Sequence, residues 1–197
     1  AFPISLSVIL TAFAEFFINK QKISWQLLML ALCSVLGVFL LTQDQQVQWS
    51  LNTGDYFILG AALLRALMVT ATKRLTQDKQ ISTTTLTCIQ SFIVASCALV
   101  VALISLPVAE ITLPKQTEFW LILGYLVVFC TLFAFYVQNH AVRNISPTKT
   151  SLLMGSEPLF GALFAMLWLN ENLSLLQMLG GALILASVLL TSVRKVN

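Results

Sequence analysis

Charge is what this chain has least of. Only 10% of its 197 residues are Asp, Glu, Lys or Arg, against about 25% in an ordinary soluble domain. Hydrophobic residues make up 58%, and the mean hydropathy is +0.88. Too few polar side chains remain to cover such a chain in water. A soluble fold is therefore excluded, and the composition points to an integral membrane protein. The net charge of +3 is small, and no nucleic-acid partner is expected. Cysteine is sparse as well. Cys33, Cys88, Cys97 and Cys130 all lie in apolar stretches without metal-ligand or redox spacing. They read as small buried side chains, not as a disulfide framework.

Other absences narrow the function. There is no GxSxG motif, no pair of intramembrane aspartates and no His-rich metal motif, and Gly155-Ser156-Glu157 is not a nucleophile elbow. An enzyme is not expected, nor is a cofactor or a metal site. No nucleotide-binding loop is present, so any work would draw on an ion gradient or on the substrate's own gradient. The opening Ala1-Phe2-Pro3 lacks a basic n-region and does not read as a signal peptide. It reads as a chain starting at or inside a membrane helix, as a fragment would.

What is present is a series of long apolar runs. A bilayer core needs roughly 20 residues of helix, and seven runs approach or exceed that, at about 1–18, 24–42, 55–72, 82–106, 118–139, 148–169 and 174–193. They are too long and too rich in Leu and Ala for membrane-barrel strands. The expected fold is an all-α polytopic bundle with short connections. Basic residues set its orientation. Lys20 and Lys22, then Lys73, Arg74 and Lys79, then Arg143 and Lys149, then Arg194 and Lys195 fall on one side of an alternating chain. Lys115 stands opposite with Asp44, Asp55, Glu110, Glu118 and Glu171, and Arg65 lies within the third span. The C-terminus is accordingly expected in the cytoplasm.

The chain also repeats itself. Ile23-Ser24-Trp25-Gln26-Leu27-Leu28 matches Leu173-Ser174-Leu175-Leu176-Gln177-Met178 at an offset of 150 residues, and Val38/Val188 and Leu40/Leu190 keep that offset. The helix before each copy carries an early proline, Pro3 or Pro158, once a gap of about five residues is allowed. The copies lie five helices apart, so they sit in the membrane with opposite orientations. Inverted repeats of this kind build secondary transporters, whose halves rock about a site near the midplane. With a five-helix unit, residues 55–193 form a complete repeat and residues 1–42 the last two helices of another. The whole natural protein is then expected to have two five-helix halves, about ten spans in all.

Several motifs carry a family resemblance. They are Tyr136-Val137-Gln138-Asn139, Ser146-Pro147-Thr148, Ser156-Glu157-Pro158-Leu159-Phe160, Asn170-Glu171-Asn172-Leu173-Ser174 and the run from Gly180 to Ala186. Together they resemble the closing part of EamA-type proteins of the drug/metabolite transporter superfamily. Gly54-Asp55 and Lys73-Arg74 are similar to the start and end of the first helix in the family's second repeat. The first hairpin differs: Lys20-Gln21-Lys22 stands where the family carries an acidic residue. The resemblance implies ten helices in two inverted halves, with the first four helices of each half around a central cavity. It also implies movement of small metabolites or drugs across the bacterial cytoplasmic membrane, usually outward, by alternating access. The partners implied are a small-molecule substrate and membrane lipid. The alternative is a truncated, non-transporting membrane interaction protein.

Within the spans, polar side chains mark candidate sites. Glu157 lies about nine residues into its span, roughly 13 Å deep at 1.5 Å per residue. A carboxylate there is costly and marks a proton relay, a substrate contact or a structural anchor. Pro158 beside it, having no N–H, leaves the Met154 carbonyl free and should kink the helix, as Pro3 should in the first copy. Arg65 sits at similar depth and either pairs with Glu157, binds an anionic substrate or snorkels toward the cytoplasm. Thr83, Thr84, Thr87, Gln90 and Ser91 share one face of the fourth span. Tyr125, Phe129, Tyr136 and Asn139 share a stripe on the fifth, with Gln138 alongside. These faces line a cavity or hold helices together, and the lone His140 takes an interfacial place. The strongest candidates for substrate or proton coupling are Glu157, Arg65, Gln90, Thr87, Tyr136 and Asn139. Small faces on the sixth span (Ser151, Gly155, Pro158, Ala162, Ala165) and the seventh (Gly180, Gly181, Ala182, Ala186) suit close packing, within the bundle or in a homodimer.

Overall fold

In lipid every backbone N–H and C=O must be satisfied inside its own segment, so long apolar runs become helices. The computed structural model describes residues 5–20, 24–42, 53–77, 79–105 and 114–193. Among these described residues it shows seven helices at the expected places. They are α1 (Ser7–Asn19), α2 (Trp25–Leu41), α3 (Thr53–Thr76), α4 (Thr83–Ser105), α5 (Thr117–Asn144), α6 (Pro147–Trp168) and α7 (Leu175–Val193). Among the described residues, α3 to α7 are long and apolar enough to cross a membrane, while α1 and α2 are shorter. No strand occurs among the described residues. The expected kink residue Pro3 lies outside them.

Two helices depart from regular geometry. Helix α6 is broken into α6a (Pro147–Met154) and α6b (Glu157–Trp168). The break centres on Gly155-Ser156. There the Ser156 N–H turns back to the Leu153 carbonyl (3.3 Å), and the Ser156 hydroxyl donates to the same oxygen (2.7 Å). Pro158 falls in the first turn of α6b, where its missing N–H costs nothing. The interruption therefore lies a little upstream of the proline. Helix α5 contains a π-helical segment, Leu126–Phe133. Its i→i+5 closures hold more residues per turn than an α-helix, so side chains beyond it rotate away from a 3.6-residue stripe. The stripe expected from Tyr125 to Asn139 is divided accordingly. Tyr125 is 60% exposed, whereas Asn139 is 1% exposed.

The chain forms two compact units. The first contains α1, α2, α3, α6 and α7, and the second contains α4 and α5. In the first unit α2 and α7 make the most extensive contact. A Cβ on Gly180 would lie 2.5 Å from the Gly37 carbonyl oxygen and 2.6 Å from the Leu41 nitrogen. Only glycine permits that approach. A Cβ on Gly155 would lie 3.4 Å from Ser34 Oγ and from Val8 Cγ2, an ordinary contact distance, so the small faces of α6 and α7 both meet neighbouring helices of the chain. Val38, Leu41 and Ile184 form the core there, with Leu159, Ala162 and Val188 against it.

The repeat is visible in the backbone. Lys20 (φ 52°) ends α1 and Asn170 (φ 54°) ends α6, and both adopt the left-handed conformation. They are 150 residues apart. The buried positions Ala31, Ser34, Gly37 and Leu41 of α2 are each followed, 150 residues later, by the buried positions Gly181, Ile184, Ser187 and Thr191 of α7. One offset thus relates both the turns and the packed faces of the two hairpins.

The cysteines depart from expectation. Cys33 is half-buried, and Cys88, Cys97 and Cys130 are exposed. In a membrane helix an outward apolar thiol meets lipid, so burial in protein is unnecessary.

Candidate functional site

The break in α6 opens onto a cavity of about 240 Å³ in the first unit. Helix α1 contributes Ser7 and Val8, with Ser5 just before it. Helix α3 contributes Arg65, and α6 contributes Ser151, Met154, Gly155, Glu157 and Pro158. The wall is thus hydroxyls, one guanidinium and one carboxylate set among apolar side chains. Each is placed by its helix. Arg65 lies midway along α3, half-buried, with Ala62, Ala66 and Val69 anchoring the buried face beside it. Glu157 opens α6b, where a negative charge is favoured by the helix dipole.

Arg65 and Glu157 therefore share one cavity, although no ion pair joins them among the described residues. The Arg65 guanidinium instead reaches Met154 Sδ at 3.9 Å, a weak acceptor. The Glu157 side chain is exposed. Two opposite charges face the same space without neutralising each other.

Three more candidates come together in the second unit. Asn139 of α5 donates to Thr87 Oγ1 (3.0 Å) and to Gln90 Oε1 (2.7 Å) of α4. One turn along α5, Arg143 donates to Thr83 Oγ1 (3.0 Å). These groups bond each other across the helix pair, which is how polar side chains fasten membrane helices. Tyr136 is 41% exposed and stacks on His140, with ring centroids 6.5 Å apart.

Glu15 is a buried acidic side chain that the charge pattern alone did not single out. It lies in α1 within Ala14-Glu15-Phe16-Phe17 and is only 6% exposed. Its carboxylate accepts the Thr148 backbone N–H (2.9 Å) and the Thr148 hydroxyl (2.5 Å) at the start of α6a. Pro147 occupies the first turn of α6a, and Ser146 caps it by accepting the Lys149 N–H. The carboxylate thus sits where the helix dipole favours an anion. From α3, Lys73 interacts electrostatically with Glu15, and Arg74 donates to the Ile18 carbonyl near the end of α1. The signal for Glu15 was present: a lone acid inside an apolar run is costly unless partnered.

Comparison with known proteins adds three findings. A family model described as the EamA-like transporter family matches residues 52–193. A protein from Archaeoglobus fulgidus, described as an uncharacterized transporter, is 34% identical over 71 residues, covering 36% of this chain and 25% of that protein. A crystal structure superposes with a TM-score of 0.79 at 16% sequence identity, covering 98% of this chain and 65% of that one. At that identity the likeness concerns the fold. The chain spans about two thirds of the solved structure's length and a quarter of the archaeal protein's.

Proposed function

The chain belongs to the EamA-like transporter family, and from that premise we propose that it is the greater part of a secondary carrier for small metabolites. Residues 1–42 are the end of one five-helix repeat, and residues 55–193 are a complete second repeat of opposite orientation. The carrier works by alternating access, exports its substrate across the cytoplasmic membrane and keeps its C-terminus in the cytoplasm. Glu157 and Arg65 are the polar contacts for substrate or coupled proton.

The observation that supports this reading best is the interrupted helix α6 beside the cavity, with Arg65 and Glu157 on its wall. Discontinuous helices at membrane depth are tolerated where they line a cavity, and carriers place their sites at such breaks. The Asn139–Thr87–Gln90 group is assigned to holding α4 against α5.

The test is uptake into inverted vesicles bearing the full-length protein, across a metabolite panel at two pH values, with Glu157→Gln beside the wild type. Uptake that depends on an imposed gradient and is lost in the variant supports the reading. Equal rates in both would refute the role given to Glu157. No uptake of any metabolite would refute the carrier.

A further inference from the structure

We propose that the cavity binds a small zwitterion, holding its carboxylate at Arg65 and its ammonium at Glu157; this names the substrate class of the site above and rests on the carrier reading. The two charges lie on the wall of one cavity of about 240 Å³. The Arg65 guanidinium donates to Met154 Sδ at 3.9 Å, a weak acceptor for a strong donor. Among the described residues neither charge has an ionic partner. The backbone sets how they are spaced. Met154 and Glu157 are three residues apart, one on each side of the break. Between them Gly155 (φ −60°, ψ −9°) and Ser156 (φ −77°, ψ −10°) keep right-handed helical angles. The turn closes by i→i+3 bonds, from the Ser156 N–H to the Leu153 carbonyl (3.3 Å) and from the Leu159 N–H to the Ser156 carbonyl (3.0 Å). Such a turn brings residues three apart onto the same face, with about 5–6 Å between their Cβ atoms. Arg65, held at Met154, is thus stationed about one turn from Glu157. At that spacing a small molecule fits between them with a hydrogen bond at each end.

Charge balance selects the ligand. A molecule that fills the cavity takes water from both groups, and a charge stripped of water without a partner is strongly destabilising. A carboxylate alone satisfies Arg65 and strands Glu157. An amine alone does the reverse. A molecule carrying both charges pairs with both residues and leaves the cavity neutral. Val8, Met154 and Pro158 supply apolar wall for its uncharged part. Arg65 and Glu157 act together as a two-point clamp, and the order of charges along the ligand decides what is accepted.

Matched compounds test this on the purified full-length protein. Leucine is compared with 4-methylpentanoate, which lacks the ammonium, and with 3-methylbutylamine, which lacks the carboxylate. Alanine is compared in the same way with propionate and ethylamine. Each compound is titrated while the unfolding midpoint is followed, since a ligand that binds only the folded state raises it. At least one of the two zwitterions is expected to bind about tenfold or more tightly than both of its singly charged analogues, the value of one charged hydrogen bond. Binding of neither zwitterion, or equal binding of an analogue, overturns the clamp. This comparison needs only the wild type, so it stands even where a variant fails to fold. Arg65→Gln should remove the preference over the amine, and Glu157→Gln the preference over the carboxylate. A loss equal for all three compounds in either variant marks a structural role and overturns the proposal. Binding is read without a gradient. A zwitterion that binds but is not carried refutes the carrier alone, and a carried substrate without this preference refutes the clamp alone.

Discussion

Glu15 takes two hydrogen bonds from one residue: both donors belong to Thr148, 133 positions away in sequence. A hydrogen bond to a charged group in a buried setting contributes about 1.5–3 kcal/mol. Thr148→Val removes the hydroxyl donor, nearly preserves shape and leaves the backbone N–H in place. It should lower stability by roughly that amount, read as a shift in the unfolding midpoint of the purified protein. An unchanged midpoint would show that the carboxylate is not held there. Depth and cost were readable from the chain for Glu157 and Arg65, because a charge inside an apolar run declares itself. The bonding partner was not. The sequence puts pairing with Glu157 first for Arg65, ahead of substrate binding or snorkelling, and only packing brings Met154 Sδ to it. The same holds for Glu15, whose partner is supplied by a helix far along the chain. The Thr87, Gln90 and Asn139 trio was legible as polar faces on two successive spans, but whether those faces met each other or a cavity depended on how the two helices pair.

Helix packing gives a second kind of expectation. Gly180 lies against backbone atoms of α2, which cannot move aside as a side chain can. Gly180→Ala should separate α2 from α7 and destabilise the protein by about 1–3 kcal/mol, the usual cost of overpacking. Gly60, in α3, has nothing within 4 Å of a built Cβ. Gly60→Ala should leave the unfolding midpoint essentially unchanged. Equal losses for the two variants would contradict the close approach. At this scale the helices themselves were legible, since lipid enforces helix wherever an apolar run is long enough. The interruptions were less so. Pro158 signalled a break in α6, but the turn closes at Gly155-Ser156, where the Ser156 hydroxyl competes for the Leu153 carbonyl. The π segment in α5 carries no proline or glycine of its own. Its position is set by which amide closes on which carbonyl, a choice that hydrophobic periodicity does not record.

On the scale of the whole molecule, orientation and repeat are linked. Three helices, α3 to α5, separate the two hairpins, and this odd number agrees with the alternation of basic residues in giving the two copies opposite orientations. A reporter on the C-terminus tests this directly. Green fluorescent protein fused there should fluoresce, and alkaline phosphatase fused there should be inactive; the reverse pattern would invert the bundle. The central claim is that the cavity at the α6 break is the path of a substrate through alternating access. Counterflow in proteoliposomes of the full-length protein tests it most directly, with no nucleotide and no ion gradient present. The wild type should accumulate labelled substrate transiently against a preloaded unlabelled pool. Arg65→Gln and Glu157→Gln should each weaken it by about tenfold or more, the value of one charged hydrogen bond in an affinity. Absence of counterflow in the wild type, or full counterflow in both variants, would contradict the account.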